Sequence, residues 1–118
     1  MDILTYAAIS EAKWKAFMAD ITDYVPKYTF YADLSIAECF GIDAIKDTIK
    51  RVLKEWLSSI EAITEFVMCI NHKSWEHADE RPELSQAYAD LYYETQDKVL
   101  KHYENDSNAL SYYYRITD

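Results

Sequence analysis

The chain has 118 residues, half of them apolar, with one glycine and two prolines. Those two residue types punctuate turns, so the composition excludes a turn-rich β fold and points to a few long helices. With 21 acidic against 12 basic residues the formal charge is −9, which argues against ordinary nucleic-acid binding and favours solubility or a basic partner.

Residues 1–118 read as a single helical domain, long enough to bury a core without disulfides or metal. Cys39 and Cys69 make no disulfide framework and read as thiols of a reducing compartment. The start, MDILTYAAISEAKW, has no basic region and already carries Asp2 and Glu11, so no secretory leader is expected. No apolar run approaches a membrane span. A cytoplasmic protein is expected. The charge is uneven: net −3 over residues 1–41, +1 over 42–57 and −7 over 58–118.

Ser10 and Glu11 open a helical pattern carried by Trp14, Phe17, Met18 and Ile21, which Pro26 ends. KYTFYA, residues 27–32, is aromatic and β-prone. Asp33 or Ser35 can cap a short helix through Cys39 and Phe40, and Gly41 stands where a left-handed C-cap is wanted. Asp43 is a suitable N-cap for the next stretch. From there Ile45, Ile49, Val52, Leu53, Trp56, Ile60, Ile63, Val67 and Ile70 form one stripe that holds phase to about residue 78, favouring one long helix. A capping box at Ser58-Ser59-Ile60-Glu61 competes with that continuity. Arg81-Pro82 breaks the pattern, and Pro82 suits the first position of a further helix, on which Leu84, Tyr88, Leu91, Thr95, Val99 and His102 face one way. Residues 105–108 form a turn. The tail ALSYYYRI makes either a last helical turn or a strand, and a strand would pair residues 27–32 with 110–116. The fold class is all-α, a compact bundle-like domain of about four helices, with that minor two-stranded pairing as the alternative for the tail. Trp14, Trp56, Ile49, Val52, Ile63, Val67, Ile70 and Leu91 are the expected core.

Four constellations bear on function. Glu65, Cys69, His72 and Glu76 follow each other along the helix opposite the apolar stripe, as potential metal ligands or as a solvated polar face. One helix rarely closes a coordination sphere, so neither a metal nor a cofactor is expected. His77 and His102, with Asn71 and Ser74, fall on apolar faces and read as core residues whose polar atoms find hydrogen bonds, not as catalytic groups, since no nucleophile is placed to partner them. Lys46, Lys50 and Lys54, with Arg51 nearby, make a basic edge in an acidic protein. Glu83, Asp90, Glu94, Asp97 and Glu104 line one face of the late helix, and Glu61, Glu65, Glu76 and Asp79 add to the carboxylates of the helix before it. Tyr92-Tyr93 and Tyr112-Tyr113-Tyr114 place rings on both sides of their elements, so some are expected at the surface, where tyrosine favours interfaces.

The segments YTFYADLSIAECFG (28–41), DAIKDT (43–48), KEW (54–56), NHKSW (71–75) and YYYRITD (112–118) resemble a group of short acidic proteins carried on conjugative elements and prophages of gut bacteria. The resemblance spans about the last three quarters of the chain and implies a mobile-element setting, where small acidic proteins act on host machinery or regulate transfer. No functional residue follows from it. The function expected is a non-enzymatic interaction protein that meets a protein partner with a basic surface through Glu65, Glu76, Asp79, Glu83, Asp90, Glu94 and Asp97 and through surface tyrosines. Direct nucleic-acid or membrane binding is not expected, and homo-oligomerisation is left open. Two alternatives stand beside this reading. One is a DNA-mimic inhibitor of a DNA-binding host protein, and the other a metal- or His-dependent enzyme.

Overall fold

The computed structural model describes residues 28–117, which form five helices: α1 (Phe30–Glu38), α2 (Ile42–Trp56), α3 (Ile60–Glu76), α4 (Pro82–His102) and α5 (Ser107–Thr117). The helix expected to open at Ser10 and end before Pro26, with Trp14 in its core face, lies outside the described residues. The all-α bundle expected from the composition is what the chain forms, and there is no strand among the described residues.

Each helix follows from its apolar spacing. On α1, Phe30, Leu34 and Ala37 are buried at positions i, i+4 and i+7. The chain then reverses at Gly41, whose φ of 108° is a backbone state that glycine alone adopts without strain. A Cβ there would meet nothing within 4 Å, so the demand for glycine is conformational and not steric. The helix α2 begins at Ile42, one residue before the expected cap Asp43, which sits in the first turn. It buries a narrow stripe, Ile45, Ile49, Val52 and Leu53, and exposes Lys46, Lys50, Arg51 and Lys54 on the other side.

The single helix expected from 45 to 78 is two helices. The chain leaves α2 at Leu57 and restarts at Ser59, an extended N-cap whose hydroxyl accepts a hydrogen bond from the Ala62 amide at 3.3 Å. The local cap prevails over the unbroken stripe because the stripe reports only which face is apolar, whereas the serine satisfies an amide that a helix start leaves open.

Between α3 and α4 the break at 77–81 ends on Pro82, at the first position of α4 as expected. The two helices form the most extensive pairing of the fold. They are pinned near the break by a reciprocal exchange: the Ser74 hydroxyl donates to the Ser85 carbonyl at 2.8 Å and the Ser85 hydroxyl to the Ser74 carbonyl at 2.5 Å, both residues fully buried. α3 packs against all four other described helices. Every residue from Ala62 to Asn71 is buried, so α3 has no solvated face over those turns.

The strand pairing of 27–32 with 110–116 is overturned. Residues 30–32 are the first turn of α1, and 110–116 lie inside α5. Ala109, Tyr113, Ile116 and Thr117 are buried with helical periodicity, and the Asp106 carboxylate accepts from the Ala109 amide at 3.1 Å to start the helix. The tyrosine pairs divide as expected: Tyr92 and Tyr113 are buried while Tyr93 and Tyr114 are exposed. Ile49, Val52, Ile63, Val67, Ile70 and Leu91 are in the core, while Trp56 is half-buried, its indole packed edge-on against Tyr28 and Phe30.

Candidate functional site

Two polar constellations stand out: an ion cluster around a buried lysine where α1 meets α3 and α4, and a row of exposed carboxylates running from the α3–α4 link along the outside of α4. The cluster is centred on Lys73, whose side chain is only 3% exposed. Its Nζ donates to Ser35 Oγ at 2.7 Å and pairs with Glu38 Oε1 at 3.0 Å and Glu76 Oε2 at 3.2 Å. It also lies 4.2 Å from the centre of the Tyr31 ring, an arrangement that stabilises a cation through the ring quadrupole. Glu38 Oε1 accepts two further hydrogen bonds, from the Tyr88 hydroxyl at 2.6 Å and from His77 Nε2 at 3.1 Å. The Tyr31 hydroxyl donates to Glu76 Oε1.

Inside this cluster one ammonium faces two carboxylates. Burial alone would push the Glu38 carboxyl up, but the bonds from Tyr88, Lys73 and His77 and the Lys73 charge hold it below its ordinary value. Glu76 is lowered likewise: burial acts upward and is outweighed by the Tyr31 bond and by Lys73. The two phenols answer in the opposite sense, Tyr31 and Tyr88 both raised, first by burial and then by the carboxylates they donate to. An ionised Glu38 is an acceptor only, so the proton of the shared bond sits on His77 Nε2. This arrangement ties α1 to the α3–α4 pair through one carboxylate that receives three donors.

The sequence reading missed Lys73 as a focus, and with it Glu38, Tyr31, Ser35 and Tyr88. A signal was available: Lys73 follows Phe66 and Ile70 on the apolar side of α3, and a lysine on a buried stripe requires a carboxylate from another element. Nothing in the sequence says that Glu38 is the one. His77 is as expected, a half-buried residue with a bonded nitrogen, and Asn71 and Ser74 are buried. His102 is a correction: it is exposed at the end of α4, stacked edge-on against Tyr103.

The expected polar face of Glu65, Cys69, His72 and Glu76 is also corrected. Glu65 and Cys69 are 5% exposed and His72 is half-buried, because α3 is covered on that side too. Burial, with the Glu65 charge beside it, pushes the Cys69 thiol up to about 12, which disfavours the thiolate a metal would need. Among the described residues no three His, Cys, Asp or Glu side chains converge as ligands. Glu65 is therefore withdrawn from the surface residues assigned to a partner, and Glu76 is engaged by Lys73 and Tyr31.

The other carboxylates of that assignment are outside. Asp79, Glu83, Asp90, Glu94 and Asp97 are all exposed, and so is Glu80, which the assignment did not include, with Arg81 the one base in that stretch. Among the described residues none of the six acids forms an ion pair. Tyr93 lies exposed beside Glu94. Between the α1–α2 turn and the α3–α4 link lies a cleft of about 350 Å³, lined by Gly41, Ile42, Pro82 and Leu84 and edged by Glu38, Glu80, Arg81 and Glu83. No described helix is long and apolar enough to cross a membrane. Comparison with family models, curated proteins and solved structures gave no match.

Proposed function

We propose that the protein is a non-enzymatic interaction module of a mobile genetic element that meets a basic protein surface with the outer face of α4. The observation that carries this is the row Asp79, Glu80, Glu83, Asp90, Glu94 and Asp97, exposed and left without ion partners among the described residues. A row of one sign steers a complementary surface to encounter and contributes mostly to association rate. Tyr93 adds an aromatic ring of the kind that anchors interfaces. The ion cluster fits this reading as scaffold, since its charges are satisfied internally. The DNA-mimic variant draws less support, because Glu65 and Glu76 of α3 do not join the row.

The test is association kinetics against a partner recovered by affinity capture, at low and high salt. The rate should fall steeply with ionic strength, and replacing Asp90, Glu94 and Asp97 by Lys should slow it further without unfolding the protein. A partner that binds this variant at the wild-type rate removes the electrostatic mechanism. Duplex DNA that competes for the same partner site would favour the mimic.

A further inference from the structure

Phe40 is 79% exposed, on a turn where Ile36 is 62% and Ile42 40% exposed. Single exposed apolar residues are ordinary, but three bracketing one tight turn, one of them an almost fully solvated phenyl ring, form a projecting knob. The knob is held firmly from below. Glu38, two residues before Phe40, is gripped by Lys73, His77 and Tyr88, and the Phe40 and Gly41 amides bond back to the Ala37 and Glu38 carbonyls. Beside it opens the cleft whose apolar lining is Ile42, Pro82 and Leu84 and whose edge carries Glu80 and Glu83 with Arg81 between them, two acids against one base. Exposed Asp43 follows directly on Ile42, and Glu83 belongs both to this edge and to the start of the α4 row.

From this geometry we infer that the α1–α2 turn is a preorganised docking knob for a basic, amphipathic segment of the partner protein, whose apolar side chains cover Phe40, Ile36 and the cleft while its Lys and Arg side chains meet Glu80, Glu83 and Asp43. The inference rests on the basic-partner reading above and adds the place of its apolar anchor. A ring mounted on a rigid turn loses little freedom on binding, which is what makes an aromatic anchor effective. A second copy of this chain is the poorer occupant, because it would bring the same carboxylates against each other in a molecule already at −9.

The experiment uses the full chain, isotope-labelled, and three synthetic peptides of equal length: an amphipathic Leu/Lys helix, a Lys/Ser peptide of the same charge and a Leu/Glu peptide with the same apolar spacing. The Leu/Lys peptide should bind most tightly and perturb the amides of Ile36, Phe40, Ile42 and Leu84. Phe40→Ser combined with Ile36→Ser should weaken it by about tenfold or more, at an unchanged denaturation midpoint, since both residues are exposed. If the Phe40/Ile36 variant binds like wild type while the Asp90/Glu94/Asp97→Lys variant loses affinity, the acidic-face reading survives and the knob is overturned. If the Phe40/Ile36 variant loses affinity while the Lys variant does not, the knob stands and the α4 row is what fails. Equal binding of the Leu/Glu peptide, or concentration-dependent self-association abolished by Phe40→Ser, overturns the assignment of a basic partner to this turn.

Discussion

Lys73 shows how much one buried charge organises. Its ammonium has two carboxylates, a hydroxyl and an aromatic face around it, and three of these come from α1. Replacing it with Met keeps the volume and removes the charge, leaving Glu38 buried with only Tyr88 and His77 as donors. Breaking one side of such a pair costs about 3–5 kcal/mol, so Lys73→Met should show a lower denaturant midpoint at neutral pH, with α1 the first element to lose amide protection. The cost is expected to depend on pH. Folded Glu38 and Glu76 lie below the ordinary carboxylate value of 4.5, so the stability they contribute is complete above 4.5 and lost as pH falls through their folded values. His72 acts with the same sign from a higher pH, because burial lowers it below 6.5 and protonation in acid then favours the unfolded chain. The gap between wild type and Lys73→Met should narrow below pH 4.5. A gap that stayed constant down to pH 3 would show that Lys73 acts by packing and not by charge.

At the scale of the elements, α3 carries the fold, since each of the other described helices rests on it. Ile63 is fully buried there, and Ile63→Ala should cost about 2–5 kcal/mol through lost burial and the cavity left behind. Ser59→Ala, by contrast, removes only a cap and should cost about 0.5–2 kcal/mol; a neutral result would mean that the break before α3 is imposed by packing alone. These two residues also mark what the sequence could disclose. Ile63 was legible as core because apolar spacing reports burial directly, and Pro82 was legible because proline fixes its own φ. A break was visible in Ser58-Ser59-Ile60-Glu61 but outweighed, and the cap is Ser59 with the Ala62 amide where the box had paired Ser58 with Glu61; continuity of a stripe says nothing about whether the backbone pauses between two helices that keep the same phase. The tail was ambiguous because tyrosine suits both strand and helix, and only contact with α3 decides between them. The polar side of α3 was misread for a related reason: periodicity locates the most apolar face, but whether the opposite face meets water depends on what other elements cover. Lys73 and Glu38 are 35 residues apart, and no local pattern connects them.

For the whole molecule the relevant quantity is the net charge of −9 and where it resides. In the ion cluster the Lys73 ammonium is shut off from solvent and its Glu38 partner nearly so, so salt screens that pairing little. The α4 row is exposed and one-signed, and the basic edge of Lys46, Lys50 and Lys54 on α2 makes no ion pair with it among the described residues. Self-repulsion among such charges destabilises the compact state, and screening relieves it. The Debye length shrinks from about 30 Å at 0.01 M salt to about 8 Å at 0.15 M, which is enough to uncouple the two ends of α4 from each other. Thermal stability should therefore rise over that range of sodium chloride, while partner association falls, two opposite responses from the same carboxylates. The Asp90/Glu94/Asp97→Lys variant brings the net charge from −9 to −3 and should show a flatter salt response in both measurements. Its midpoint at physiological salt should stay within about 1 kcal/mol of wild type, because relief of the overall repulsion is offset by new like-charge neighbours at Lys98 and Lys101 one turn along the helix. Calorimetry of both proteins across the salt series checks this. If wild-type stability falls as salt is added, attractive pairs dominate the surface, and the row is then part of the protein's own stabilisation and not a charge held out for a partner.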